Sequence, residues 1–473
     1  MFGINGSNVI RECVRLVLVP ASTNISSQVG ESGRGTALNE LIGAVMSDAG
    51  ARAQAEWLVE NEATMSQLQT RVRESVEAST DIQTSRINSR LSSLVPNASV
   101  ALTTTVPDWT PKTDATVTTD VTIDGVTNDV SKQGHGIQRA VMISMFQALV
   151  PDAELTRDNH VQADDEDEAE ANTRLEEELA RLPSLIICIE EPEIYQHPIR
   201  ARAFARTLTE LSTQLGAQVI VATHSPYFVR PDQFSSLRRF TLKDGQTEVS
   251  STSPAELSAS TGIPVEKISK IVDKRVPTEF SEGFFADSVA LVEGDTDRAV
   301  VEALASRLNL ALDVKGISVL EVSSKESIRI PYEILHALGI PAFVFIDGDF
   351  LGAKRKHPTD AAKESSAHAS HKAATESIIA WLPSSVAVQG NLPVLFGNPT
   401  VVASHFVVWY DDLEEELAAW PSFDAALVAN GDGSIRARTK KDLYAYRNAI
   451  LDADMSDMPD TLKSAIEAIA AFK

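Results

Sequence analysis

The sequence predicts an α/β protein with two parallel-sheet domains in succession. Three observations support that class. Short apolar runs alternate with helix-like segments, the signature of βαβ units. Several runs, among them residues 185–189 and 342–346, are apolar throughout, as strands buried on both faces are. Two such series occur, separated by a less regular stretch at 231–283.

In order along the chain, residues 14–20 (VRLVLVP) read as a buried strand. Residues 36–95 read mostly as helix, with the polar face of a long exposed one around Gln67, Gln69, Arg71 and Arg73. Residues 99–130 switch to a two-residue period rich in Val and Thr. Asp124-Gly125, between the runs 117–123 and 126–130, is a type I′ hairpin signal. Helix returns at 136–149, then strand 185–189, helix 197–215 and strand 218–222. The second series runs strand 288–292, helix 296–308, strand 317–321, helix 325–338 and strand 342–346. Residues 350–375, rich in Lys, His, Ala and Ser, read as a mobile insertion, and the last hundred residues mix helices with a strand at 402–409. The boundary between the halves falls near 275–285. No internal repeat is found.

The 473 residues predict two or three domains with ample core, and 43% hydrophobic content is a globular value. No apolar stretch is long enough to span a bilayer, which excludes a helical membrane protein. No basic segment followed by an apolar one opens the chain, so no secretion signal is expected and a cytoplasmic location is. Cys13 and Cys188 read as buried free thiols in a reducing compartment. The formal charge of -24 argues against a general nucleic-acid coating protein, which needs clustered Lys and Arg, but not against an enzyme with a local basic groove. Part of that charge is one acidic run over 164–178, read as a solvated loop and exposed helix start, with DNA mimicry or metal binding the alternatives.

Two acidic motifs carry most of the chemistry. Glu293-Gly294-Asp295-Thr296-Asp297 ends the run 288–292, and Asp347-Gly348-Asp349 ends the run 342–346. Open α/β sheets build their sites at such carboxyl ends. Carboxylates converging on one sheet edge repel each other unless a hard cation neutralises them, which predicts a Mg²⁺ or Mn²⁺ site at Glu293, Asp297, Asp347 and Asp349.

The first half has its own pattern. Strand 185–189 ends in Glu190-Glu191-Pro192-Glu193, strand 218–222 ends in Thr223-His224-Ser225-Pro226, and Gly134-His135-Gly136-Ile137-Gln138-Arg139 opens a helix. In that order these resemble the Walker B motif, switch histidine and degenerate signature of the ABC, SMC and RecF-like ATPases. The resemblance implies that Glu190 supports Mg²⁺ through water, that Glu191 polarises the attacking water and that His224 contacts the γ-phosphate. Gly134, Gly136 and Gln138 would act on nucleotide held by another subunit. No G-x-x-x-x-G-K-[ST] occurs; residues 2–10 look like a P-loop without Gly-Lys-Ser, or an ordinary terminus, and residues 30–36 lack the Lys-Ser/Thr pair. Such a chain is expected to bind ATP poorly or not at all.

The paired motifs of the second half resemble the Toprim domain of topoisomerases, primases, recombination proteins and the OLD (overcoming lysogenization defect) nucleases. An ABC-type ATPase followed directly by Toprim is the OLD arrangement, which includes the nuclease subunit of Gabija-type phage defence. The joint at 270–287 is similar too. The resemblance implies an incomplete ABC-type ATPase domain at 1–250 lacking a complete Walker A region, a linker at 251–283 and a Toprim nuclease domain with a C-terminal extension at 284–473. It implies Glu293 as general acid or base, Asp347 and Asp349 as metal ligands, and Asp297 as a group that completes the site or ligates a second ion. It also implies DNA as substrate, Mg²⁺ or Mn²⁺ as cofactor, cleavage without need of ATP, a homodimer through residues 1–250, and work in phage defence or DNA repair with a helicase or defence-system partner. The competing expectation is a catalytically impaired, regulatory or DNA-binding remnant. Topoisomerase and primase readings lack a catalytic tyrosine setting and polymerising contacts.

Further candidates lie downstream. In the segment 411–417, Glu414 is either an added metal ligand or part of an acidic helix start. Lys440 and Lys441 either stabilise charge on the scissile phosphate or end a helix. Lys354-Arg355-Lys356-His357 either track a DNA backbone or are solvated. His368 and His371 have no partners at zinc-like spacing and read as loop residues.

Overall fold

The computed structural model describes residues 14–19, parts of 61–81, 120–141, 184–382 apart from 215, 397–435 apart from 398 and 432, and 442–472. The chain divides into two compact units, Met1–Thr223 and His224–Lys473.

In the first unit, β1 (Val14–Val19) and the hairpin β2 (Asp120–Ile123) and β3 (Val126–Asp129) precede β4 (Ser184–Glu190), α1 (Pro198–Ser212) and β5 (Ala217–Ala222). β1, β4 and β5 form a parallel sheet in that order, with Leu16 opposite Ile186 and Ile187 opposite Val219. Leu185, Ile187 and Ile189 alternate onto one buried face. α1 starts on Pro198, whose missing N–H costs nothing at a first turn. It buries Ala201, Phe204, Leu208 and Leu211, a stripe at helical spacing. The Asp124-Gly125 turn has positive φ at both residues, 50° and 81°, as a type I′ hairpin requires. Strands β1, β3, β4 and β5 stand within a residue of their predicted bounds, whereas α1 ends three residues before the expected 215 and β2 is described from 120 rather than 117. Of the helix expected at 136–149, residues 135–141 are described, and they are helical. Cys188 is a free thiol but half-buried rather than buried. Cys13, the segments 2–10 and 30–36, and the acidic run 164–178 lie outside the described residues.

The second unit opens with a hairpin, β6 (Arg239–Lys243) and β7 (Gln246–Ser250), then α2 (Pro254–Thr261) and α3 (Val265–Arg275). The core follows as β8 (Ser288–Val292), α4 (Asp295–Arg307), β9 (Ile317–Glu321), α5 (Arg329–Ala337) and β10 (Ala342–Ile346). After α6 (Gly352–Lys356) and α7 (Ala361–Trp381) come β11 (Val401–Val402), β12 (Phe406–Val408), α8 (Leu413–Ala418), α9 (Pro421–Ala429), α10 (Leu443–Asp452) and α11 (Asp460–Ala471). The sheet order is β11-β12-β10-β8-β9, parallel except for the edge strand β11.

All five residues of β8 and of β10 are buried, as their unbroken apolar runs predict. Because side chains alternate, one strand feeds two cores. Ala290, Val292, Phe343 and Phe345 pack with Val300, Val301 and Leu304 of α4 and with α9, α10 and α11. Val289, Leu291, Val344 and Ile346 pack on the other face with Ile330 and Ile334 of α5.

Two expectations change. Residues 251–283, expected as a linker, fold as helices whose Leu257, Ile268, Val272 and Phe280 sit in that second core. Ser253 caps α2 by accepting the Glu256 N–H at 3.2 Å, and Gly262 ends it at φ 71°. The two compact units part at 223/224. Residues 350–375, expected to be a mobile insertion, form α6 and most of the 21-residue α7. Alanine-rich sequence favours helix, and Asp360 caps α7 by accepting the Lys363 N–H at 3.1 Å.

Candidate functional site

From β8 the chain crosses by α4 to β9 on one side, then returns by α5 to β10 on the other. The crevice between β8 and β10 is therefore the topological switch point, where such sheets bind ligands. Glu293 follows β8 and Asp347 follows β10. The two tips meet: the Asp347 N–H donates to Glu293 Oε1 at 3.1 Å.

Asp297, nearly buried, lies in the first turn of α4 and accepts the Gly294 N–H through Oδ2 at 3.1 Å. One of its oxygens thus holds the helix start. Burial pushes the Glu293 carboxyl up to about 7; the Asp347 N–H and Lys325 pull it back, and Asp297 and Asp349 push it further. Asp347 is raised well above the usual carboxylate range, first by burial and then by Glu293, Asp297, Asp412 and Glu414. The first turn of α8 belongs to the same field. Its cap, Asp412, accepts the Glu415 N–H at 2.9 Å and is pushed to about 6 by burial, then by Glu414 and Asp411.

Asp349 is placed differently. Its φ is 54°, in the left-handed region, and its N–H donates to the Asp411 carbonyl at 2.8 Å. Its Oδ2 pairs with Lys325 Nζ and lies 3.5 Å from His371 Nδ1. Between the two aspartates only glycine fits, because a Cβ on Gly348 would collide with the carbonyl oxygens of Trp409 and Tyr410. His368, one turn before His371 on α7, sets its ring edge-on to Phe350 at 5.0 Å. Both histidines therefore stand on a helix against the Asp347-Gly348-Asp349 loop, not in a loop of their own.

The basic stretch after that loop is also partly committed. Arg355 pairs with both Asp411, which is 0% exposed, and Asp412, the latter at 2.7 Å. Lys354 and Lys356 are exposed on α6 and keep the capacity to meet a phosphate backbone. Lys440 and Lys441 lie outside the described residues. Sequence reasoning missed Lys325, Thr375 and the Arg355–Asp411 pair. Lys325 follows the carboxyl end of β9, the same location that singled out Glu293 and Asp347.

Among the described residues no three His, Cys, Asp or Glu side chains already stand at ligand spacing around one point. The donor chemistry nonetheless fits a hard divalent cation. Glu293, Asp347 and Glu414 are oxygen donors, and burial together with neighbouring acids raises the titration of Glu293 and Asp347, a cost that such an ion removes.

In the first unit, Glu190 ends β4 and is exposed. Glu191 turns the chain at φ 43° and donates its N–H to the Ala222 carbonyl at 2.7 Å. The helix at 135–141 docks on this turn. Arg139, 1% exposed, donates to the carbonyls of Glu191 at 3.0 Å and of Pro192, and the His135 ring stacks on Tyr195 at 4.8 Å. Gly134 supplies the carbonyl that accepts the Ile137 N–H at 2.9 Å, and the open side of Gly136 faces Arg200. Gln138 is buried and turns back to the Gln133 carbonyl at 2.8 Å. The Thr223 hydroxyl donates to Glu193 at 2.8 Å, and His224, next in the chain, begins the second unit.

Residues 7–229 match the family model described as AAA ATPase domain, and residues 284–349 the model described as Overcoming lysogenization defect protein-like, TOPRIM domain. The Old nuclease of Escherichia phage P2 is 27% identical over 232 residues, 48% of this chain and 34% of that protein. The OLD nuclease of Thermus scotoductus is 29% identical over 230 residues, 49% of this chain and 37% of that protein. The endonuclease GajA of Bacillus cereus is 24% identical over 180 residues, 35% of this chain and 26% of that protein. The chain thus spans roughly a third of the length of the curated relatives it matches. The solved C-terminal region of the Burkholderia pseudomallei OLD protein aligns at a TM-score of 0.28 and 20% identity, covering 39% of this chain and 98% of that one.

Proposed function

We propose that this chain, an AAA-type ATPase domain followed by an OLD-like TOPRIM domain, is a metal-dependent endonuclease that hydrolyses DNA phosphodiesters. The observation that carries the reading is the Asp347 N–H bond to Glu293, which joins two acidic strand tips at the switch point. Asp347 and Glu414 would hold Mg²⁺ or Mn²⁺ beside Glu293, with Asp297 and Asp349 deepening the negative potential on either side. The ion, when bound, supplies Lewis-acid polarisation of a phosphoryl oxygen. Glu293, with its carboxyl near neutrality, exchanges the proton of the attacking water; Oε1 is held by the Asp347 N–H, so Oε2 is the exchanging atom. Lys354 and Lys356 bind the flanking backbone as point charges.

In the first unit, Glu190 and Glu191 are the nucleotide-facing candidates, with Gly134, Gly136 and Gln138 in support; His224, a further candidate, begins the second unit. No G-x-x-x-x-G-K-[ST] is present in the 473 residues, so cleavage by this chain is proposed not to require ATP. A homodimer through residues 1–250, a cytoplasmic setting and a role in phage defence or DNA repair extend the same likeness. Among the described residues no helix is long and apolar enough to cross a membrane.

The missing P-loop sequence also favours a second reading, a regulatory remnant that binds DNA without cutting it. Nicking of supercoiled plasmid with Mn²⁺ separates the two. The nuclease reading expects nicking by the parent chain, with or without ATP, and none by Asp347→Ala. DNA binding without nicking would favour the remnant.

A further inference from the structure

Phe350 directly follows the Asp347-Gly348-Asp349 loop, and it is not packed away as its aromatic neighbours on the sheet are. Phe343, Phe345, Phe406 and Trp409 are 3% exposed or less, whereas Phe350 stays half-buried. Two more half-buried rings join it. Tyr410 lies 5.1 Å away, ring centre to ring centre, tilted by 39°, and His368 of α7 lies 5.0 Å away, edge-on at 72°. Apolar side chains scattered singly over a surface need no explanation, but three rings gathered beside an acidic loop do. Their placement is fixed by the backbone around them. Gly397, at φ 81°, leaves room for the Phe350 ring: a Cβ there would come 2.6 Å from Phe350 Cε2. The Tyr410 N–H donates to Thr400 Oγ1 at 3.0 Å, and the Tyr410 carbonyl packs over Gly348. The rings and the acid loop are therefore one rigid assembly, organised before anything binds.

We propose that Phe350, Tyr410 and His368 form a shelf that receives one unpaired nucleobase beside the scissile phosphate, so that the site prefers a DNA strand carrying an unpaired base to perfect duplex. The inference rests on the nuclease reading above and names the form of its substrate. The surroundings favour nucleic acid as the occupant. Lys354 and Lys356 stand exposed on α6, within two turns of Phe350, while Arg355 between them is held by Asp411 and Asp412. Two lysines on a chain of formal charge -24 give little electrostatic grip on phosphates, so stacking has to supply the rest. Every base has a π-face, so a shelf of rings grips without reading sequence. In perfect duplex both faces of each base are covered by its neighbours. Turning a base out costs its pairing and stacking, and the cost is least where the base is already unpaired. That difference is the source of the preference.

The test uses the full chain and a short DNA duplex with a one-base bulge, the bulged base being a fluorescent adenine analogue whose emission falls when it stacks. Emission is read on binding with Ca²⁺ in place of Mn²⁺. Nicking with Mn²⁺ is compared between this duplex and the same duplex without the bulge. The expected result is a fall in emission with the parent chain, and a kcat/KM about tenfold higher on the bulged duplex. Phe350→Leu loses the fall in emission and brings that ratio down towards one, and Phe350→Tyr, which keeps the ring, restores both. A parent that nicks both duplexes equally and leaves the emission unchanged would overturn the inference and leave the nuclease reading intact. Equal loss on both duplexes in Phe350→Leu, with the ratio kept, would reduce the rings to packing for α7 and overturn it too. A parent that dims the probe but cuts neither duplex would support the shelf and remove the nuclease reading. A folded parent that does neither would remove both. If Phe350→Leu does not fold, Tyr410→Leu takes its place with the same expected results.

Discussion

Consider the metal-free protein as pH is raised from 5 to 8. Glu293 titrates near 7 in the folded chain, against a usual value of 4.5, because burial disfavours its charged form. Its protonated state therefore contributes stability that is complete below about 4.5 and is lost as pH rises through about 7. At about 1.4 kcal/mol per unit, the loss is on the order of 3 kcal/mol. Asp412, raised to about 6, acts in the same direction over a lower window. Urea unfolding in EDTA should thus show the second unit less stable at pH 8 than at pH 5. Glu293→Gln, a neutral amide of the same shape, should lessen that slope, the remainder coming from Asp347 and Asp412. Saturating Mn²⁺ should reverse the slope in the parent chain, because the ion binds the deprotonated carboxylates and stabilises the state that holds it. The reasoning fails if the metal-free parent is as stable at pH 8 as at pH 5, or if Glu293→Gln leaves the slope unchanged.

Other substitutions probe the frame around those acids. Gly348→Ala forces a Cβ against the Trp409 and Tyr410 carbonyls; overpacking of this kind costs about 1–3 kcal/mol, and thermal melting should register it together with weakened Mn²⁺ binding. Arg355→Ala leaves the buried Asp411 carboxylate without its cation. Losing one partner of a buried pair costs about 3–5 kcal/mol, and because the Arg355 side chain is 48% exposed the lower end is expected, with Asp411→Asn in the same chain recovering part of it.

The strands were legible because β4, β5, β8 and β10 are short, mainly apolar runs between breakers, and β8 and β10, buried on both faces, are apolar throughout. The acidic motifs were legible for a related reason: a charge directly after such a run must sit at a strand tip. What could not be read was pairing at a distance. Lys325 and Asp349 are 24 residues apart, on tips of strands separated by β8, and nothing local in Ser323-Ser324-Lys325 announces a partner. α7 was misread because its apolar residues do not form a stripe, although alanine content and the Asp360 cap both favoured a helix. His368 and His371 were judged against zinc spacing, when their neighbours are Phe350 and Asp349 from another element. Residues 251–283 were read as a linker because they look irregular and contain Ser251-Thr252-Ser253-Pro254, yet Leu257, Ile268, Val272 and Phe280 pack in the core on the α5 face of the sheet.

The central claim is that a cation sits where the tips of β8 and β10 meet. Anomalous scattering from a Mn²⁺-soaked crystal of the chain tests it most directly. The account predicts a peak about 2 Å from carboxylate oxygens of Asp347 and Glu414, beside Glu293. A peak elsewhere on the chain, or none beside Asp347 with Mn²⁺ bound at other carboxylates, would contradict it.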